Sequence, residues 1–228
     1  MRILLKEFSQ TYSEELGINL KSKKSEEIFK WFLASILFGK PIRESSAIKT
    51  YKEFKKHEVL TPEKILETGW HGLVDILDAG SYTRYDFSTA DKLLEVMKNL
   101  GKCEYLVKIY ENSTDEEDLK TRIKNLGKGI GDVTINIFLR ELRDIWNVDP
   151  LLSKFTIFGA KNLGLIKLEN PVKALKELKI IWKRDKIRNK TFVNFETALL
   201  RLGKDFCRKK KCKICKLQGF CTFKKKGF

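Results

Sequence analysis

"NLGKGIGDVTI", residues 125–135, joins two stretches with helical patterning, and how it turns decides what the rest of the chain must be. Before it, "DEEDLKTRIKNLG" (115–127) opens on acids and closes on glycine. After it, "DVTINIFLRELRDIW" (132–146) repeats apolar residues at helical spacing. Two helices joined by G-x-G form a helix–hairpin–helix pattern. Gly129 and Gly131 permit a tight turn whose backbone N–H groups, aided by the positive end of the following helix, can meet a phosphate. Such a contact reads no base sequence. An ordinary αα-hairpin with glycine turn residues is the plainer alternative, and the turn alone does not choose between them.

Working outward, the same helical patterning recurs almost throughout. "SEEIFKWFLASILFG" (25–39) places Ile28, Phe29, Phe32, Leu33, Ile36 and Leu37 on one stripe, with Ser25 as the expected N-cap. "TPEKILETG" (61–69) has a Thr cap, Pro at the first helical position and Gly at the stop. "STADKLLEVMKNLG" (88–101) suggests a capping box with Ser88 as cap and Asp91 as its partner. "NPVKALKELKIIWKR" (170–184) and "TFVNFETALLRLGKDFC" (191–207) complete the set. No alternation of period two is long enough for a sheet, so the expected fold class is all-α.

The 228 residues, 42% hydrophobic, suffice for one large core or two modest ones and exclude disorder as the dominant state. Net charge is +16, and residues 201–228 hold eleven Lys/Arg against a single acid, Asp205. A basic excess concentrated at one end points to a polyanion, with nucleic acid ahead of an anionic membrane; a solvated lysine-rich surface is the plainer reading. The N-terminus lacks signal-peptide character and no apolar run approaches a membrane span, so a cytosolic or nuclear protein is expected. Disulfides are rare there, so Cys207, Cys212, Cys215 and Cys221, spaced C-x4-C-x2-C-x5-C, read as a metal site. Cys103 is expected to be a buried thiol.

Eighteen residues after Gly131 stands Asp149, in "WNVDPLLSKF" (146–155). Asp followed by Pro is a common helix start, and an N-cap is the plainer reading of this acid. The two roles are compatible, because a carboxylate fixed at a helix start stays ionised and can face a developing positive charge.

A G-x-G hairpin, an Asp eighteen residues on and a terminal four-cysteine loop, in that order, resemble the endonuclease III family of helix–hairpin–helix DNA glycosylases. "FKWFLASILFGKPIRESSAIKTYKEF" (29–54) resembles the helix pair that opens the family's six-helix domain, and residues 61–97 resemble the segment leading to the hairpin. The resemblance implies two helical lobes with a DNA cleft between them. One is a six-helix lobe over 23–135; the other combines 1–22 with 136–228 and ends in the cysteine loop. It implies a [4Fe–4S] cluster on Cys207, Cys212, Cys215 and Cys221, with zinc as the alternative. The cluster's expected role is structural, pinning a loop that presents Arg208, Lys209, Lys210 and Lys211 to phosphates.

The departures from the family pattern shape the expected chemistry. Bifunctional members carry a nucleophilic lysine two residues after the hairpin's second glycine; Val133 stands there and cannot form an imine. The expectation is therefore a monofunctional glycosylase in base excision repair, in which water attacks and Asp149 is catalytic. Lys128 and Lys154 are the candidates for a displaced lysine. Gly127 and Lys128 replace the usual apolar residue and proline before G-x-G, and Lys128 adds a candidate phosphate contact beside Gly129 and Gly131. Leu151 stands where a His or Tyr is common, and the first two cysteines are four residues apart where six is usual. "FGKPIRES" places Lys40, Ile42 or Arg43 where relatives carry a polar wedge, so Lys40 and Arg43 join the DNA-contacting candidates. Trp31, Phe38, Tyr82 and Trp146 are the aromatics considered for a base pocket; Trp and Phe on apolar faces are more often core, whereas Tyr82, between helices in "GSYTRYD", is expected to line a cleft. The expected partner is double-stranded DNA with a damaged or mismatched base, bound by a cytoplasmic monomer, nucleoid-associated in a prokaryote. A bifunctional glycosylase/lyase, a non-catalytic DNA-binding protein and a zinc-stabilised RNA-binding protein are the competing readings.

Overall fold

The computed structural model describes residues 1–102, 104–167 and 169–222, and over these the protein is helical without a strand. Cys103 lies outside the described residues. In chain order the helices are α1 (Arg2–Phe8), α2 (Tyr12–Leu16), α3 (Ser25–Phe38), α4 (Glu44–Lys56), α5 (Pro62–Ala79), α6 (Asp86–Leu100) and α7 (Glu104–Glu111). They continue with α8 (Glu116–Lys124), α9 (Asp132–Glu141), α10 (Arg143–Trp146), α11 (Lys154–Asn162), α12 (Pro171–Arg184) and α13 (Phe192–Arg201). None of the described helices is long and apolar enough to cross a membrane. The chain divides into two compact units, Ser13–Asp149 and Met1–Tyr12 with Pro150–Phe228.

In the unit Ser13–Asp149, α3 is the hub. Its apolar residues do not stop at one stripe: Trp31, Ala34 and Ser35 are as buried as Phe29, Phe32 and Leu33. A helix apolar on all sides belongs inside, and α4, α7 and α9 pack around it. The Trp31 indole N–H donates to the Phe138 carbonyl of α9 at 3.0 Å. Gly39, just past α3, lets the α3–α4 turn touch α9, since a Cβ there would lie 2.2 Å from Thr134 Oγ1. Pro62 opens α5 behind a Thr61 cap, and Gly69, at φ 65°, breaks the helix where the sequence places its stop.

Three local expectations are corrected. Ser25 is the first residue of α3, with Lys24 at the cap position and no side-chain cap bond. Ser88 does not cap α6, which begins two residues earlier at Asp86; Asp91 accepts instead from the Trp70 indole at 2.9 Å. The helix expected over 132–146 breaks at Leu142, separating α9 from the single turn of α10.

In the other unit, Leu4, Leu5, Leu178, Trp182, Phe195, Leu199 and Leu202 form one core. Two glycines make the key contact: a Cβ on Gly159 would lie 2.3 Å from the Leu199 carbonyl, and one on Gly203 would lie 1.9 Å from that of Phe155. Backbone-to-backbone approach of α11 to the end of α13 is possible only with both side chains absent. Beyond α13 the chain continues as a π-helical turn, Leu202–Cys207, which delivers Cys207 to the cysteine loop.

Candidate functional site

The hairpin turn runs from the end of α8 to the start of α9. Gly129 adopts φ 82°, a left-handed conformation that glycine takes at no cost. Gly131 is extended (φ −99°, ψ 177°), serves as the N-cap of α9 and offers no side chain to its first amides. The two glycines therefore differ: only Gly129 is required by backbone geometry. A Cβ at Gly131 would meet nothing within 4 Å, whereas one at Gly129 would lie 2.8 Å from Lys92 Cε.

Lys92 is a residue that the motif reading missed. It is buried on α6, and its ammonium donates to the Gly129 carbonyl at 2.9 Å. Burial, and then the neighbouring Lys40, pull its pKa down to about 8. Lys40 also lies over the Tyr85 ring at 5.4 Å. The α3–α4 turn carrying Lys40 and the hairpin are thus brought together. The signal in the sequence was a lysine on the apolar face of α6, in phase with Thr89 and Val96. Lys128 is exposed, and its amide N–H donates to Glu95 at 3.2 Å. Arg43 is exposed at the cap position of α4. Val133 is 64% exposed on the first turn of α9.

Asp149 is not a helix cap. The helix that follows begins at Lys154, and Ser153 caps it by accepting from the Thr156 amide at 3.1 Å. Pro150 disfavours a helical Asp149, and Leu152 is drawn into the core of its own unit. The Asp149 carboxylate is about half exposed, with Oδ1 3.4 Å from Nη1 of the buried Arg143. Its backbone N–H donates to Glu116 Oε2 at 2.6 Å. Arg140, Glu141 and Arg143, charged residues inside an apolar stripe, are all buried, and Glu141 accepts from the Ser13 amide at 3.0 Å.

The aromatic candidates for a base pocket divide. Trp31 and Tyr82 are fully buried, and each donates its polar hydrogen to a backbone carbonyl, Tyr82 to Leu37 at 2.6 Å. Both are core residues here. Trp146 is buried and stacks on Tyr110 with centroids 4.8 Å apart. Phe38 is half-buried against Trp31.

In the other unit, Cys207, Cys212, Cys215 and Cys221 border one pocket, partly open to solvent, whose walls include Leu163, Leu202, Phe206 and Leu217. All four are free thiols. Burial, opposed by a bond with Asn162 and reinforced by the neighbouring thiols, pushes the Cys207 thiol up. The four cations beside Cys207 are exposed but not equivalent: Arg208 lies over Phe155 at 5.0 Å, Lys209 pairs with Asp205 at 3.1 Å, and Lys210 sits in a left-handed turn at φ 52°. Arg201 lies over Tyr12 at 4.2 Å, with Lys204 at 6.0 Å from the same ring.

In comparison with known protein families and with curated proteins, no family model matches the chain and no curated protein matches it.

Proposed function

We propose that this protein is a monofunctional DNA N-glycosylase that removes a damaged or mismatched base from duplex DNA by hydrolysis. The observation that carries the reading is Asp149: it follows a G-x-G hairpin, is not used as a helix cap and presents a half-exposed carboxylate. It is held in its loop by Arg143 and Glu116 with the carboxylate still partly open to solvent, as a group that meets a bound substrate must be. The bare Gly131 and the uncapped first amides of α9 offer a phosphate a close approach to backbone donors, with the helix dipole in favour. Lys40, Lys128 and Arg43 supply the surrounding positive charge.

In this reading the target nucleotide is extruded from the stack, at a cost of a few kcal/mol. As the N-glycosidic bond stretches, the sugar gains oxocarbenium character. Asp149 stabilises that charge and orients or activates the attacking water. With Val133 in place of a lysine, no amine stands on the first turn of α9 to form an imine, so strand cleavage falls to another enzyme. Of the four aromatic candidates for base recognition, this reading favours Phe38, which is only partly buried, over the buried Trp31, Tyr82 and Trp146.

Cys207, Cys212, Cys215 and Cys221 would hold an iron–sulfur cluster. An all-thiolate donor set suits iron–sulfur or zinc. Four thiols bordering one pocket suit either group, and the resemblance of the cysteine loop to that of the endonuclease III family favours the cluster. The group would supply structural support, fixing the loop that carries Arg208, Lys210 and Lys211.

The test is base release from duplexes carrying single uracil, thymine opposite guanine, alkylated purine or oxidised guanine. Release on one of these supports the reading and names the base. Duplex binding without release on any of them favours the non-catalytic DNA-binding alternative.

A further inference from the structure

We propose that Glu116 and Arg143 are positioning residues that clamp Asp149 from two sides; the proposal rests on the reading of Asp149 as the catalytic carboxylate. Asp149 occupies a loop, where a half-exposed side chain would ordinarily sample several directions. Its surroundings oppose that. Asn147, in a left-handed conformation at φ 48°, ends α10, and Pro150 restricts Asp149 to extended backbone. The Asp149 N–H then donates to Glu116 Oε2 at 2.6 Å, fixing the backbone from which the carboxylate projects. On the other side, Oδ1 lies 3.4 Å from Arg143 Nη1.

Both partners are themselves held. The Arg143 side chain is 3% exposed, so packing fixes its guanidinium. Glu116 is the first residue of α8, whose Asp115 cap accepts from the Glu117 and Asp118 amides at 2.9 Å. The Glu116 carboxylate also pairs with Lys120 at 2.9 Å. α8 carries Glu116 at one end and leads into the hairpin turn at the other. Its nine residues set the two about 13 Å apart along one rigid rod. The clamp thereby ties the reacting carboxylate to the element that seats the phosphate. Such a fixed spacing matters, because a misplacement of about 1 Å can cost on the order of a hundredfold in rate.

The test compares Glu116→Ala, Glu116→Gln and the wild type in the full protein. The first readout, independent of activity, is hydrogen exchange at the Asp149 amide. Glu116→Ala should speed it at least about tenfold with core amides in α3 unchanged, and Glu116→Gln, whose amide oxygen still accepts, should restore most of the protection. The second readout is single-turnover base release on the lesion duplex most active with wild type. Glu116→Ala should lower the rate about ten- to a hundredfold, with the glutamine variant in between. Affinity for a duplex bearing a tetrahydrofuran abasic analogue should stay within about twofold, a split that general destabilisation does not produce. Unchanged exchange at Asp149 overturns the clamp, as does unchanged base release in Glu116→Ala alongside a dead Asp149→Asn. Absence of base release by the wild type overturns the catalytic reading of Asp149, while the exchange measurement still decides the clamp.

Discussion

Replacing Lys92 by methionine separates the two things that residue does at the hairpin, bearing a buried charge and filling space. Lys92 is 6% exposed, and burial together with Lys40 brings its pKa from 10.5 to about 8. At 1.36 kcal/mol per pH unit, that fall corresponds to roughly 3 kcal/mol against the folded state at pH 7. The sign follows from proton uptake. Between pH 8 and 10.5 the unfolded chain keeps a proton that the native state has released, so stability rises with pH across that window. From pH 7 to 9.5 the recovery is about 2 kcal/mol. Methionine keeps most of the packing and carries no charge, and losing the bond to Gly129 costs about 1 kcal/mol. Lys92→Met should therefore be about 2 kcal/mol more stable than wild type at pH 7 and nearly equal to it at pH 9.5. Urea unfolding followed by tryptophan fluorescence in a Trp182→Phe background reports on the right unit, because the other three tryptophans, Trp31, Trp70 and Trp146, lie within Ser13–Asp149. A stability difference that is the same at both pH values would refute the buried-charge argument.

Gly129→Ala should cost at least about 1–2 kcal/mol, from the left-handed backbone and the clash with Lys92, whereas Gly131→Ala should leave stability within about 0.5 kcal/mol yet weaken duplex binding, as read by thermal unfolding and fluorescence anisotropy. Cys215→Ser should remove broad visible absorbance from aerobically purified protein and destabilise the unit that contains it; unchanged absorbance with about one zinc per chain would support the zinc alternative instead. Val133→Lys should create a borohydride-trappable adduct with abasic DNA, because that side chain is 64% exposed on α9; failure to trap would argue against the hairpin register assigned by the family resemblance.

Where local chemistry governs, the sequence was readable. Thr61–Pro62 and Asn170–Pro171 start helices as their residue types require, and Gly69 interrupts α5 where a stop was expected. Asp115 caps α8 by the same local logic. Two capping signals compete after Trp146, at Asp149 and at Ser153, and spacing cannot rank them. Burial of Leu152 and the capture of the Asp149 N–H by Glu116 settle the matter at long range. The same limit hid Lys92, Arg143 and Glu116. A charged residue in an apolar stripe looks like noise until the fold shows which carbonyl or carboxylate it meets. Trp31, a pocket candidate for which core was already the commoner role, is fully enclosed, because the middle of α3 is buried among α4, α7 and α9. The cysteine spacing identified the thiols, but no periodicity announced the π-helical turn that carries Cys207 to the pocket they share.

The most direct test of the account is single-turnover base release by wild type and Asp149→Asn on the same lesion duplex, each assayed with and without alkali. The account requires strand breaks only after alkali for the wild type, and their loss by at least about a hundredfold in the variant, with duplex affinity preserved. Base release by Asp149→Asn at the wild-type rate would contradict it.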